Sequence, residues 1–300
     1  MSTSQSAARF GAMALAIGII GISFSPIFVK LSEVGPTATA FYRMGFALPA
    51  MGLWVMLESR GPVVRRKVAR RDWWLLVLCG ALFTADLICW HSAIRMTSVA
   101  NATFLGNLGT LVVSLGAWLI LRERVTLGFA LGMALALGGV GMLMGSSASG
   151  SPGDLAGDGM GVLTAVFYGS YLFVVKIARD RGLPTGLIMG VSGAISTIGF
   201  IIVALALGEK IIPETLFGWA MLVGIALITQ AGGQSLVTVA MRHLPATMVS
   251  VSLLMNPVLS AVFAWALLAE HLTMLQGAGC AVVFIGMLIA QRLNRPGKRP

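Results

Sequence analysis

Residues 118–126 read Trp-Leu-Ile-Leu-Arg-Glu-Arg-Val-Thr, and residues 265–273 read Trp-Ala-Leu-Leu-Ala-Glu-His-Leu-Thr. Both are Trp-x4-Glu-x2-Thr, separated by 147 positions without a gap. At the same separation Arg95 pairs with Arg242, Gly132 with Gly279 and Gly139 with Gly286. Two apolar helices match at a few places by chance. Matches of Trp, Glu and Arg in a single register point to an internal duplication.

Outward from the two motifs, the chain is built of long apolar blocks. Of its 300 residues 57% are hydrophobic and only 11% charged, whereas a soluble domain carries about a quarter charged residues. A water-facing surface is missing, so the solvent is a bilayer. A helix needs about 20 apolar residues to cross the hydrocarbon, and ten segments qualify: 10–30, 37–58, 73–93, 98–120, 126–145, 158–178, 185–206, 216–238, 245–268 and 273–292. The first block is too long for the apolar core of a signal peptide and reads as a retained helix. Gly35-Pro36, Gly61-Pro62, Ser151-Pro152-Gly153 and Pro213 punctuate the gaps.

Basic residues orient the helices. With a cytoplasmic N-terminus, the inside holds Arg9, the run from Arg60 to Arg71, Arg122, Arg124, Lys176, Arg179, Arg181, Arg242 and the tail from Arg292 to Arg299. Lys30, Arg95 and Lys210 stay outside, and Arg43 falls within the second helix. This asymmetry obeys the positive-inside rule and places both termini in the cytoplasm. The net charge of +10 is therefore a topology signal facing anionic lipid, with no nucleic-acid motif attached.

The expected fold is all-α and integral to the membrane: ten transmembrane helices as two five-helix repeats, residues 1–146 and 147–300. An odd number of helices per repeat inverts the second against the first. Inverted repeats are a recurrent plan of secondary transporters, because exchanging the conformations of the halves opens one site to alternate sides. Duplication for packing alone is the competing explanation.

The two Trp-x4-Glu-x2-Thr segments, the Gly-rich helices that follow them and Asn256-Pro257 resemble the drug/metabolite transporter superfamily in its ten-helix EamA branch. Within that branch the chain is similar to the amino-acid exporters of the YddG type. The resemblance spans essentially the whole chain. It implies that helices 1, 3, 4, 6, 8 and 9 surround a cavity, and that a bacterial-type inner membrane houses the protein. It also implies export of amino acids or similar small metabolites, with no cofactor. One departure is Gly109-Thr110, which stands where the second repeat has Asn256-Pro257.

Polar residues at membrane depth are the candidate site. Asp86, with Phe83 and Trp90 on its face, suits a substrate ammonium through charge and cation–π contact. The alternative is a packing acid bonded to Asn101 or Asn107. His91 is a proton relay or an interface histidine. Asn101, Asn107, Gln230, Gln234 and Asn256 line the cavity or join helices. Tyr168 and Tyr171, one turn apart, contact substrate or anchor an interface. Arg43 snorkels, pairs with Glu33 or receives a substrate carboxylate. Glu123 and Glu270 read as structural helix-end residues.

Neither a nucleophile elbow, a His-Glu-x-x-His motif nor a Walker A sequence is present. Cys79, Cys89 and Cys280 lack metal-ligand spacing. The expectation is a secondary carrier without catalytic or metal residues, whose partners are a small molecule and lipid. A cationic multidrug carrier is the runner-up. An intramembrane lipid-modifying enzyme or a channel is the reading of a different class.

Overall fold

The computed structural model describes residues 2–59, 68–96, 105–123, 125–145, 155–268 and 273–293. They form ten apolar helical spans: α1 Ser6–Lys30, α2 Pro36–Glu58, α3 Arg70–Trp90, α4 Leu105–Leu119, α5 Leu127–Met142, α6 Leu155–Asp180, α7 Thr185–Ala206, α8 Leu216–His243, α9 Ala246–Leu268 and α10 Met274–Leu293. Each coincides with one expected segment, and no strand occurs among the described residues.

Proline sets the breaks inside three spans. A helical proline lacks the N–H and crowds the carbonyl four residues back. Pro49 would crowd Gly45, where the first half of α2 ends. Pro257 would crowd Leu253, where the first half of α9 ends. Pro26 follows the interruption of α1 at Phe24 and opens its final turn.

The chain divides into two compact units, residues 1–88 with 174–244 and residues 89–173 with 245–300. Each unit draws helices from both sequence halves.

In the first unit α1 meets α8 through glycines. A Cβ on Gly21 would lie 3.0 Å from the Gly233 Cα, and one on Gly18 would lie 2.9 Å from the Gly233 carbonyl oxygen. α2 meets α7 where a Cβ on Gly186 would come within 2.7 Å of the Val55 nitrogen. Both helices begin behind residues with no side-chain acceptor, Gly35 and Pro184, so their first N–H groups need partners from elsewhere. Each takes one from the far end of the other. Glu58, closing α2, accepts from the Thr185 and Gly186 amides at 3.1 and 2.8 Å. Glu209, just past α7, accepts from the Ala38 amide at 2.9 Å. The carboxylates also complement the positive helix ends.

In the second unit α5 and α10 approach backbone to backbone at Gly132, Gly139, Gly279 and Gly286. Around them Phe129, Met133, Val140, Val251, Leu254 and Val283 make a buried core. α4 reaches α9 through Ser114 and Ser250, whose hydroxyls lie 3.2 Å apart. Glu123, past the end of α4, caps α9 behind Pro245. It accepts from the Ala246 and Thr247 amides at 2.9 and 3.1 Å and from the Thr247 hydroxyl at 2.8 Å. Glu123 is thus a structural helix-end residue, as its repetition suggested. Its counterpart Glu270 lies outside the described residues.

Candidate functional site

α8 departs from the expected α-helix. Residues Ile225–Gln234 wind as a π-helix between α-helical flanks. Such wide turns are rare in general and concentrate at functional sites. This one carries Gln230 and Gln234, both buried. Gly233, which meets α1 in the glycine contact described above, lies in the same segment. The Thr229 hydroxyl, in the same π segment, is buried with no hydrogen-bond partner.

Arg43 of α2 is the centre of the polar cluster in the first unit. Its Nε donates to Gln230 Oε1 at 3.0 Å, and its Nη1 donates to the Ser25 hydroxyl at 3.3 Å. Its guanidinium stands 6.0 Å from the centre of the Phe83 ring, within cation–π range. It is also the charge that acts on the buried Asp86 carboxyl. Four spans, α1, α2, α3 and α8, therefore converge on one guanidinium.

One expectation changes at this point. Arg43 does not pair with Glu33. That carboxylate instead accepts from the Glu214 and Thr215 amides at 2.7 and 3.0 Å and from the Thr215 hydroxyl. It lies beyond the membrane-spanning segments, and the Thr215 hydroxyl bond leads the contacts that hold its carboxyl below the usual range. Asp86, for its part, has the Arg43 charge as its electrostatic partner. A planar fork that bonds Gln230 and Ser25 together is an advantage of Arg over Lys.

Phe83, Asp86, Gln230 and Gln234 thus belong to the unit that Arg43 organises. The remaining predicted residues fall in the second unit. There a Cβ on Gly106 would lie 3.9 Å from Trp90 and 3.2 Å from Thr164. The Tyr168 and Tyr171 rings stack with centroids 6.3 Å apart and an interplanar angle of 28°. Tyr171 is fully buried and Tyr168 half-buried. The Asn256 side chain accepts from the Ser260 hydroxyl at 3.2 Å, and the Asn107 carbonyl accepts from Thr110 at 3.0 Å. His91 lies in the helix Arg70–Met96. Asn101 lies outside the described residues.

Sequence reasoning missed Arg43 as the centre and missed the aromatic group beside it. Tyr42 meets Trp219 edge-to-face at 5.5 Å, and Phe46 stacks with Trp219 at 6.3 Å. The spacing of Tyr42 and Phe46, one turn apart and flanking a charged residue, is the signal that was available. Two open recesses, of about 480 and 450 Å3, adjoin Glu123 and Glu58 and contain none of the predicted site residues. Both belong to the capping ends rather than to the polar centre. Among the described residues no three His, Cys, Asp or Glu side chains cluster as metal ligands.

Comparison with known proteins bears on both repeats. The sequence profile of the "EamA-like transporter family" matches residues 9–145 and again residues 155–291. An "uncharacterized transporter" of Methanothermobacter thermautotrophicus is 26% identical over 227 residues, 74% of this chain and 66% of that protein. The pseudopaline exporter CntI of Pseudomonas aeruginosa is 23% identical over 282 residues, 92% of this chain and 95% of that protein. A solved crystal structure superposes with a TM-score of 0.80 at 18% identity, covering 97% of this chain and 98% of the other. That last likeness is one of fold.

Proposed function

The chain belongs to the EamA-like transporter family, and from that premise we propose that it exports amino acids, or small metabolites bearing an amino acid's charges, across a bacterial-type inner membrane. As a member of this family it is a membrane transporter and not an enzyme. With no nucleotide-binding motif in the sequence, the transport is secondary, and alternating access between inverted repeats is the mechanism such a fold supports.

The observation that carries the substrate reading is the cluster of Arg43, Asp86, Gln230 and Phe83. A single ionised side chain at the middle of a membrane helix costs about 2.5 kcal/mol or more. A guanidinium held by amide and hydroxyl partners, in the same unit as a buried acid, suits a ligand that carries a carboxylate and an ammonium. The substrate carboxylate takes the Arg43 fork, because Arg presents paired N–H donors to a carboxylate. The substrate ammonium takes Asp86. A zwitterion offers one opposite charge to each group. Similarity to an exporter from Pseudomonas aeruginosa supports the outward direction.

The test is counterflow in proteoliposomes with a panel of solutes. Saturable exchange of neutral and aromatic amino acids is expected, with far weaker competition from the matching amine or carboxylic acid alone. Competition by organic cations with no amino-acid flux would replace this reading by cation efflux. Lipid turnover without solute flux would make the chain an enzyme, and a current that does not saturate would make it a channel.

A further inference from the structure

The end of the first unit that the charge distribution assigns to the cytoplasm carries basic groups that the transport reading does not use. Lys176 and Arg179 lie in the last turns of α6, and Arg242 and His243 end α8. The four act on one another electrostatically: Arg242 on Arg179, and Arg242, Arg179 and Lys176 on His243. His243 is fixed by an edge-to-face contact with Phe10, ring centres 5.5 Å apart, and by Gly11, which has no room for a Cβ beside it.

The nearby acids are already committed. Asp180 pairs with Lys176 at 2.6 Å. Glu58 spends both oxygens on the α7 amides, although its charge reaches Arg179. Neither Arg179 nor Arg242 forms an ion pair among the described residues. Arg179 is only 4% exposed. It donates from Nη1 to the Leu183 carbonyl, while its Nε has no acceptor. The Thr185 hydroxyl, on the residue whose amide Glu58 caps, is also fully buried without a partner. The two helix C-termini offset part of the positive charge. A buried guanidinium with an idle donor, beside an exposed second one, has no ion-pair contact among the described residues.

We infer that Lys176, Arg179, Arg242 and His243 form a binding site for a phosphate-bearing anion. Arg179 and Lys176 form the buried floor, and Arg242 with His243 forms the rim open to the membrane surface. Phosphate supplies several acceptor oxygens to donors set at different angles, which one carboxylate does not. Basic pockets between transmembrane helices on the cytoplasmic side take anionic lipid headgroups. Free inorganic phosphate presents the same chemistry.

The experiment uses the full chain in nanodiscs, with native mass spectrometry and thermal melting as readouts. Nanodiscs of phosphatidylcholine alone are compared with nanodiscs doped with phosphatidylglycerol, and with phosphatidylcholine nanodiscs in inorganic phosphate. Arg242→Gln changes an exposed side chain and keeps the fold. Arg179→Gln removes the floor. Arg292→Gln, an exposed arginine of the other unit, controls for general surface attraction.

If the occupant is a lipid, phosphatidylglycerol is retained on the wild type about tenfold more strongly than on Arg242→Gln, and Arg292→Gln behaves as wild type. If the occupant is free phosphate, the wild type melts higher in phosphate without anionic lipid, and Arg242→Gln does not. Equal retention by wild type and Arg242→Gln with no effect of phosphate overturns the site. So does an equal loss in Arg292→Gln.

Discussion

Gly132 of α5 and Gly286 of α10 face each other so closely that a Cβ added to either would lie 2.7 Å from the other's carbonyl oxygen. Their repeat mates repeat the arrangement. Gly279 stands 147 positions after Gly132 and Gly286 stands 147 after Gly139, and a Cβ on Gly139 would meet the Gly279 carbonyl at 2.8 Å. The contact between Gly132 and Gly286 thus maps onto the contact between Gly279 and Gly139. This is what a local two-fold relation between the fifth helices of two repeats requires. Backbone against backbone cannot yield as a side chain would, so Gly132→Ala or Gly286→Ala is expected to cost about 1–3 kcal/mol. Gly138, next to this seam, has open space around its missing Cβ, and Gly138→Ala should be neutral or slightly stabilising. Melting temperatures in detergent compare the three. Equal losses at positions 132 and 138 would show that the seam is not tight.

Glu123 carries three hydrogen bonds to the start of α9. Glu123→Ala strands those amides at a helix end whose preceding residue is proline. A loss of about 2 kcal/mol is expected, with Glu123→Gln recovering part, since its amide oxygen still accepts. Glu58→Ala should behave alike at the start of α7. Solute binding at the polar cluster should survive both changes, measured as ligand-induced thermal shift. A variant that melts like wild type but no longer binds would contradict a purely capping role.

Glu33 offers a pH signature. The Thr215 hydroxyl, then the Thr215 and Glu214 amides and the Lys210 charge, lower its carboxyl against opposing burial. A carboxylate depressed in the folded state stabilises it above the unfolded value of about 4.3. That contribution fades as pH falls through the lower, folded value. Wild type should therefore melt above Glu33→Gln at pH 6, and the gap should close as the solution is acidified below about pH 4. A gap that widens on acidification would mean the sign is wrong.

The spans were readable because hydrocarbon demands long apolar runs, and their order because Trp, Glu, Arg and Gly recur in one register. The role of Glu123 was readable too, since a repeated acid at a helix end has few other uses. Arg43 was not. Its partners Ser25, Phe83, Asp86 and Gln230 come from α1, α3 and α8, and Gln230 stands 187 positions away. Nothing local distinguishes an arginine that snorkels from one that gathers four helices. The π-helix of α8 was equally hidden, because Gln230 and Gln234 share a face under either winding. It lies where Gly233 lets α1 and α8 touch, a tertiary fact. The carboxylate caps of α2 and α7 are likewise side chains from one helix completing the backbone of another.

The polar centre yields the most discriminating prediction, because stability and transport should part company there. Arg43→Ala removes the positive charge that acts on the buried Asp86 carboxyl. Asp86→Ala removes the buried acid and keeps the guanidinium bonds to Gln230 and Ser25. The effects of removing two groups that act on one another need not add. The double variant Arg43→Ala with Asp86→Ala should therefore lose less stability than the two single losses added together, yet all three should lose amino-acid counterflow. Arg43→Lys separates charge from geometry. It keeps the positive charge and loses the planar fork, so it should fold like wild type and raise KM for the amino acid about tenfold with little change in maximal flux. If instead the double variant transports normally, Arg43 and Asp86 are a packing pair, and the substrate is recognised elsewhere.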